Sequence, residues 1–481
     1  MIRAACLGEV GLLVLVGLLS LPPARAADGF IGCHAVREDA SGEARVVASE
    51  LADRRFVPAS VAKLFVSAAA LELLGADHRL ETEIVADGVI DDRRLAGDLV
   101  VHAVGDPTWT RPFVDSARQP LDRLATQVAH SLHSVDGNLV IDVSRYPGRG
   151  TSTDRAVADL AFAFGARTAA WAIDGGALDL RVAPGEKIGD PIRASLRASD
   201  GLFGRRSPPV TLRVEAMTVT AERAGRGTLD VRAAPDGRTL WLVGEYPLGE
   251  PAYDLEAAAP DAARWAGEVL RAALERAGVA IAGEVVIRRA RAPRPMDQQG
   301  AAGRRLAVLR SPPLERVLPE ILTESNNWQA EMLLRRLALA QTGEGRDDLG
   351  LDLVHAFLRE RVGIEATEVS LVDGSGLSPQ NLVTPRAVVE LLRFARRALW
   401  RRSFVSALAA PGSGTLESWH GLPSSTRAKT GSLRRRLGLA GLASSPRGPL
   451  VFACLVNHSS EPRALQRQAI ADRLRRWVAA P

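Results

Sequence analysis

The chain has 481 residues, 46% hydrophobic and 24% charged, which makes it globular with apolar content for two or three domains. Its three cysteines, one of them inside the N-terminal leader, exclude a disulfide framework and a cysteine-built zinc site. A net charge of +5 is carried almost wholly by arginines spread along the chain, which argues against the concentrated basic face of a nucleic-acid binder.

The first residues have the form of a secretory signal: Arg3, an apolar run from Val10 to Leu19, and the small residues Ala24 and Ala26 before Ala27. The run is short for a membrane span, so residues 1–26 are predicted to be cleaved, leaving a secreted chain without a stable span. Cys6 leaves with the signal. Residues 30–36 are predicted as the first strand and 44–48 as its hairpin partner. Pro58, the alanines and leucines after it, and Gly75 then predict a buried helix with Ser60 and Lys63 on one face of its first turn. Free backbone N–H groups and the positive end of the helix dipole lie there, where a nucleophile and a base would meet.

From about residue 80 the texture changes to short apolar runs between Gly, Asp and Arg clusters. These predict β-rich structure, with strands in 81–85, 98–107, 137–142, 210–214 and 238–243. A helix near 261–277 and a strand at 283–288 lead into a Pro/Arg/Gln/Gly-rich linker, 291–304. Helical periodicity returns from Leu314 and dominates through 347–362 and 386–398. Two strands follow, 437–442 and 450–456, then an amphipathic helix, 461–478, expected to pack on a sheet. His130 and His133 are expected on a helix surface and Lys187 in an exposed turn.

Only three of the 61 basic residues are lysines: Lys63, Lys187 and Lys429. Arginine keeps its proton in proteins, whereas a lysine held out of water can be neutral and act as a base. Two of the three stand in Ser60-x-x-Lys63 and Lys429-Thr430-Gly431-Ser432, and between these lies Ser325-Asn326-Asn327 in a break between helices. Alone, that middle stretch reads as an ordinary helix cap at Ser325. In this order the three resemble the motifs of penicillin-binding proteins and serine β-lactamases. The separation of Ser60 from Ser325, more than half the chain, resembles the class C low-molecular-mass penicillin-binding proteins, the serine D-alanyl-D-alanine carboxypeptidases of peptidase family S13. Stretches at 95–99, 105–108, 135–142 and 373–378 extend the resemblance over the mature chain.

The resemblance implies a multi-domain α/β (α+β) fold: a serine β-lactamase/transpeptidase-like domain of residues 27–79 and 306–481. Two β-rich domains are inserted between the first and second motifs, one of 80–158 with 281–305 and one of 159–280. It further implies a periplasmic carboxypeptidase or peptidoglycan DD-endopeptidase acting on stem peptides that end in D-Ala-D-Ala, with β-lactams as covalent inhibitors and neither metal nor cofactor. Ser60 would be the nucleophile, Lys63 its base and Ser325 the proton relay to the leaving amine. Asn327 would orient Lys63 and bind substrate, Lys429 and Thr430 would hold the terminal carboxylate, and the backbone N–H groups of Ser60 and Ser432 would hold the oxyanion. Asp159 would border the pocket for the substrate's side chain, against the plainer alternative of a helix cap or solvated acid. The tryptophans usual before that acid are missing, and Arg434-Arg435-Arg436 replaces more neutral residues after the last motif.

An α/β-hydrolase would carry Gly-x-Ser-x-Gly, which does not occur, and a class C β-lactamase-like enzyme would need a tyrosine in the second motif, where none of Tyr146, Tyr246 and Tyr253 lies. A non-catalytic or weakly active wall-binding protein of the same fold is the alternative of a different class. Cys33 and Cys454 fall in the first and last strands, which can be neighbours in such folds, and either a bridge or two buried thiols is open.

Overall fold

A computed structural model describes residues 29–39, 43–116, 118–148, 150–151, 155–197, 207–224, 228–290 and 303–480. The predicted signal, Cys6 and nearly all of the predicted linker lie outside these residues.

Apolar runs near both termini of the described chain form the middle of one antiparallel five-stranded sheet, with more polar strands at its two edges. Its order is Arg427–Leu433, Arg436–Ser445, Gly448–Asn457, Phe30–Glu38, Ala44–Glu50, so the first strand pairs with a strand hundreds of residues later. Alternation along Gly448–Asn457 sorts its side chains to two faces. Val451, Ala453 and Leu455 join a core with the helices Lys63–Leu74 and Pro385–Arg397. Phe452, Cys454 and Val456 face Ile470 and Leu474 of the C-terminal helix Arg463–Ala479, which packs on the sheet as its amphipathic pattern predicts. Cys33 lies opposite Cys454 in register, and both are buried free thiols; burial pushes the Cys454 thiol well above its usual range.

The helix Lys63–Leu74 is buried from Lys63 through Leu71, as a helix apolar on every side must be. Burying each side chain the size of Leu64 or Phe65 contributes about 1.5–3 kcal/mol, which fixes the base of the site in the core. The α-helix begins later than predicted, because Ala59–Ala62 forms a 3₁₀ turn and Ala59 sits at φ +49°. Side chains three apart eclipse in a 3₁₀ turn, so Ser60 stands over Lys63 more directly than an α-helical turn would allow.

Between the first and second motifs the described residues build three further sheets. The largest has seven strands. Along its main path run Ala280–Ile281, Ser134–Val135, Arg94–His102, Glu81–Asp91 and Arg304–Arg310, and Leu139–Asp142 pairs with both Arg94–His102 and Val285–Arg288. Gln119–Ala129 and Ala262–Arg276 contribute to its core. Two three-stranded sheets follow, one of Asp230–Ala233, Thr239–Pro247 and Thr211–Val219, the other of Tyr253–Ala258, Ala177–Ala183 and Arg193–Leu196. His130, His133 and Lys187 are exposed.

Candidate active site

Ser60 Oγ and Lys63 Nζ are 2.9 Å apart, and Lys63 is fully buried. Nζ also lies 2.7 Å from Asn327 Oδ1 and 2.6 Å from the Ser375 carbonyl oxygen. A neutral amine has two N–H groups and one lone pair. Two carbonyl-type oxygens take the N–H groups, which turns the lone pair toward the only partner with a proton to give, Ser60 Oγ. Burial pulls the Lys63 ammonium down to about 7; Asp373 and Glu331 oppose this and Arg155 adds to it.

The helices Leu314–Leu322 and Asn327–Thr342 flank Ser325. The helix cap expected at Ser325 belongs instead to Asn326, whose side chain accepts from Gln329 N at 3.0 Å. Ser325 is thereby left at φ +67°, in the left-handed region a serine seldom occupies, with Oγ accepting from Lys429 Nζ at 2.8 Å. Asn327 faces two ways: Oδ1 toward Lys63, and Nδ2 donating to the Phe164 carbonyl at 3.0 Å.

Lys429, Thr430 and Ser432 lie on Arg427–Leu433, the edge strand of the main sheet, where the outward backbone N–H groups beyond the Ala428–Ala409 bridge have no strand partner. Lys429 is fully buried and donates to Ser325 Oγ and, at 3.0 Å, to the Thr430 carbonyl. Burial holds its ammonium well below the usual range, and the Lys63 charge adds to the effect. Two neighbouring buried ammonium groups oppose each other, so a proton on one disfavours a proton on the other. Ser432 Oγ accepts from Arg463 Nη1, and Arg463 Nη2 donates to the Leu433 carbonyl at 3.2 Å.

Two glycines let these elements meet. A Cβ on Gly431 would stand 2.3 Å from the Pro58 carbonyl oxygen, and one on Gly376, at φ +81°, 2.0 Å from that of Ala59. The loop bearing Gly376 is held by Asp373, which accepts from Gly376 N and Ser378 N at 2.7 Å each and from Asn381 Nδ2 at 2.8 Å. The glycines of this stretch let the chain turn beside the site.

Hydrogen bonds therefore link Ser60, Lys63 and Asn327 in one group and Ser325, Lys429 and Thr430 in another, and the short stretch Ser325-Asn326-Asn327 joins the two. Asp159 has no such link. It lies partly exposed in the 3₁₀ turn Val157–Ala161, its carboxyl pushed up by burial against the pull of Arg155. Phe164, five residues on, lines a cleft of about 1100 Å³ together with Ser325, Asn327, Trp328, Arg111 and Asp174. Sequence reasoning missed Phe164, Arg155 and Glu331. Only Glu331 left a trace, four residues after Asn327 on one helix face.

The family model for the D-Ala-D-Ala carboxypeptidase 3 (S13) family matches residues 31–478. A D-alanyl-D-alanine carboxypeptidase of Actinomadura sp. (strain R39) is 30% identical over 470 residues, covering 94% of this chain and 82% of that protein. The D-alanyl-D-alanine carboxypeptidase DacB of Haemophilus influenzae is 27% identical over 413 residues, 83% of this chain and 80% of the relative. The crystal structure of penicillin binding protein 4 (dacB) from H. influenzae aligns with a TM-score of 0.80 at 23% identity, over 93% of this chain and 97% of that one, which shows a shared fold. A further structure of that protein is complexed with a β-lactam.

Proposed function

The chain belongs to the D-Ala-D-Ala carboxypeptidase 3 (S13) family of serine peptidases, and from that membership we propose that it cleaves D-Ala-D-Ala termini through an acyl-enzyme on Ser60. The observation that carries the reading is the environment of Lys63: an amine drawn down to about 7, two N–H groups occupied, and its remaining position on Ser60 Oγ. Ser60 Oγ attacks the carbonyl of the penultimate D-alanine as its proton passes to Lys63 Nζ. Negative charge on the carbonyl oxygen falls to the backbone N–H groups of Ser60 and Ser432. Ser325 gives its hydroxyl proton to the leaving D-alanine nitrogen as the C–N bond breaks and takes one from Lys429, its hydrogen-bond donor; water then displaces the acyl group, its proton passing through Ser325 to Lys429 as Lys63 returns the earlier one to Ser60 Oγ. The substrate carboxylate would sit against Lys429 and Thr430. A carboxylate there favours a proton on Lys429, and that charge disfavours one on Lys63, which leaves Lys63 free to act as the base.

Asn327 orients Lys63 and offers its amide to the substrate backbone, exchanging the Phe164 carbonyl for it. Asp159 lines the side-chain end of the substrate path, a role supported by its partial burial near Phe164. The substrate is the peptidoglycan stem peptide, met in the periplasm after removal of residues 1–26, and residues 80–158 with 281–305 and 159–280 form the two inserted domains. Incubation with a fluorescent penicillin followed by peptide mass mapping should find the adduct on Ser60, and an unlabelled Ser60 would overturn the reading. Digesting purified peptidoglycan, and following terminal D-alanine against dimeric muropeptides, separates carboxypeptidase from endopeptidase action. N-terminal sequencing of the exported protein should begin near Ala27.

A further inference from the structure

Outside the three motifs, one buried ion pair reaches the chemistry. Arg155 Nη2 and Glu331 Oε1 are 2.7 Å apart, with side chains 1% and 5% exposed. Glu331 lies one turn beyond Asn327 on the same helix, and Arg155 also donates to the Gly165 carbonyl at 3.3 Å, beside the cleft-lining Phe164. The two Glu331 oxygens accept from the peptide N–H groups of Gly374 and Ser375, each at 3.1 Å. The Ser375 carbonyl in turn accepts from Lys63 Nζ at 2.6 Å. A continuous path thus runs from the wall of the substrate cleft, through one carboxylate and one backbone unit, to the amine beside Ser60.

We propose that Arg155 and Glu331 are positioning residues for acylation: Glu331 clamps the backbone at 374–375 so that the Ser375 carbonyl fixes the orientation of Lys63, and Arg155 offsets the Glu331 charge so that Lys63 can stay neutral. The inference rests on the reading of Lys63 as the base. Four charged groups bear on this pocket. Asp373 and Glu331 favour the ammonium and Arg155 favours the amine, while Lys429, itself subject to the Lys63 charge, competes for the proton. Ser60 and Asn327 are its uncharged side-chain partners. Asp373 is already engaged by Gly376, Ser378 and Asn381, so Glu331 is the acid whose charge Arg155 balances directly. A pair that only held the fold together would have no reason to place its carboxylate on the peptide whose carbonyl meets the base.

The test is the rate of acylation by a fluorescent penicillin as a function of pH in the full chain. Arg155→Gln should move the acid limb of the profile up by about one pH unit, because Lys63 then holds its proton more tightly. Glu331→Gln should move it down and lower the plateau about tenfold, since one amide oxygen cannot hold both peptide N–H groups. Either single change leaves a buried charge unpaired and can compromise folding. The double variant Arg155→Met/Glu331→Leu removes both charges; its acid limb should return near that of the parent while the plateau stays low. Profiles superimposable on the parent's in folded single variants, or a parent-like plateau in the double variant, would overturn the proposal. Failure of the parent chain itself to acylate would instead remove the reading on which it rests.

Discussion

Lys63 meets three oxygens, and its chemistry depends on whether it holds two N–H groups or three. Because burial draws its ammonium down to about 7, the acylation rate should rise with pH, about tenfold per unit below 7, and flatten above it. Penicillin-labelling rates between pH 5.5 and 8.5 measure this; a flat profile would speak against Lys63 as base. Lys63→Arg retains a charge that does not leave and is bulkier, so labelling of the folded variant should fall below detection, as it should for Ser60→Ala. Lys429→Arg should weaken labelling less completely, because the positive potential stays. Lys187→Arg, in an exposed turn, should label at the parent rate.

At the scale of elements, the site is a convergence of backbones, and its glycines mark where they touch. Gly376→Ala would place a methyl group 2.0 Å from the Ala59 carbonyl oxygen at a left-handed φ. It should lower stability by about 1–3 kcal/mol and reduce acylation beyond what the loss of folded protein explains, as denaturant titration beside labelling would show. A second joint ties the first strand to a helix: the fully buried Glu38 carboxylate accepts from Arg393 and Arg396 at 2.9 and 2.8 Å and from Arg397 at 3.0 Å. Burial alone would raise this acid, but the three guanidinium groups win and hold it below the usual carboxylate range. Its contribution is therefore present above the unfolded value of about 4.3 and is lost as pH falls through the folded one. Glu38→Gln should cost about 2 kcal/mol at pH 7, discounted because the arginines are partly exposed, and the difference from the parent should shrink below pH 4.

The motifs and the terminal elements were legible because they are local. Ser60-x-x-Lys63 lies within one turn, and the strands 30–36 and 450–456 are near-continuous apolar runs. The strands Ala177–Ala183, Arg193–Leu196 and Arg304–Arg310 were missed because charged residues interrupt or bound their short apolar stretches, Asp179 and Arg181 in the first, Arg193 in the second and Arg304, Arg305 and Arg310 in the third, which gives a short strand the texture of a loop. No local pattern could have paired Arg155 with Glu331, whose meeting is a product of the folded topology.

At the scale of the molecule, the helix carrying Asn327 is embedded in the region between the first two motifs. Arg335 donates to the Pro147 carbonyl at 2.7 Å and to Thr168 Oγ1 at 3.1 Å, Gln329 reaches the Pro107 carbonyl at 3.2 Å, and Trp328 Nε1 that of Arg167 at 3.3 Å. Connections between the strands of that region thus brace this helix. In the main sheet, Cys33 and Cys454 stand opposite each other in register as buried thiols. Titration of denatured, unreduced protein should count two free thiols in the mature chain, and none would mean a bridge closes between them.

The pairing of Phe30–Glu38 with Gly448–Asn457 also sets a timetable. A polypeptide emerges from its N-terminus, so the first strand and the Ser60 helix wait for almost the entire chain before the partners that complete their sheet exist. Contacts so distant in sequence form slowly, while the intervening sheets can gather from nearer segments. Catalytic competence is then among the last properties the polypeptide acquires. A partly delivered chain, whatever its local order, has a serine and a lysine but no edge strand carrying Lys429 to complete the site.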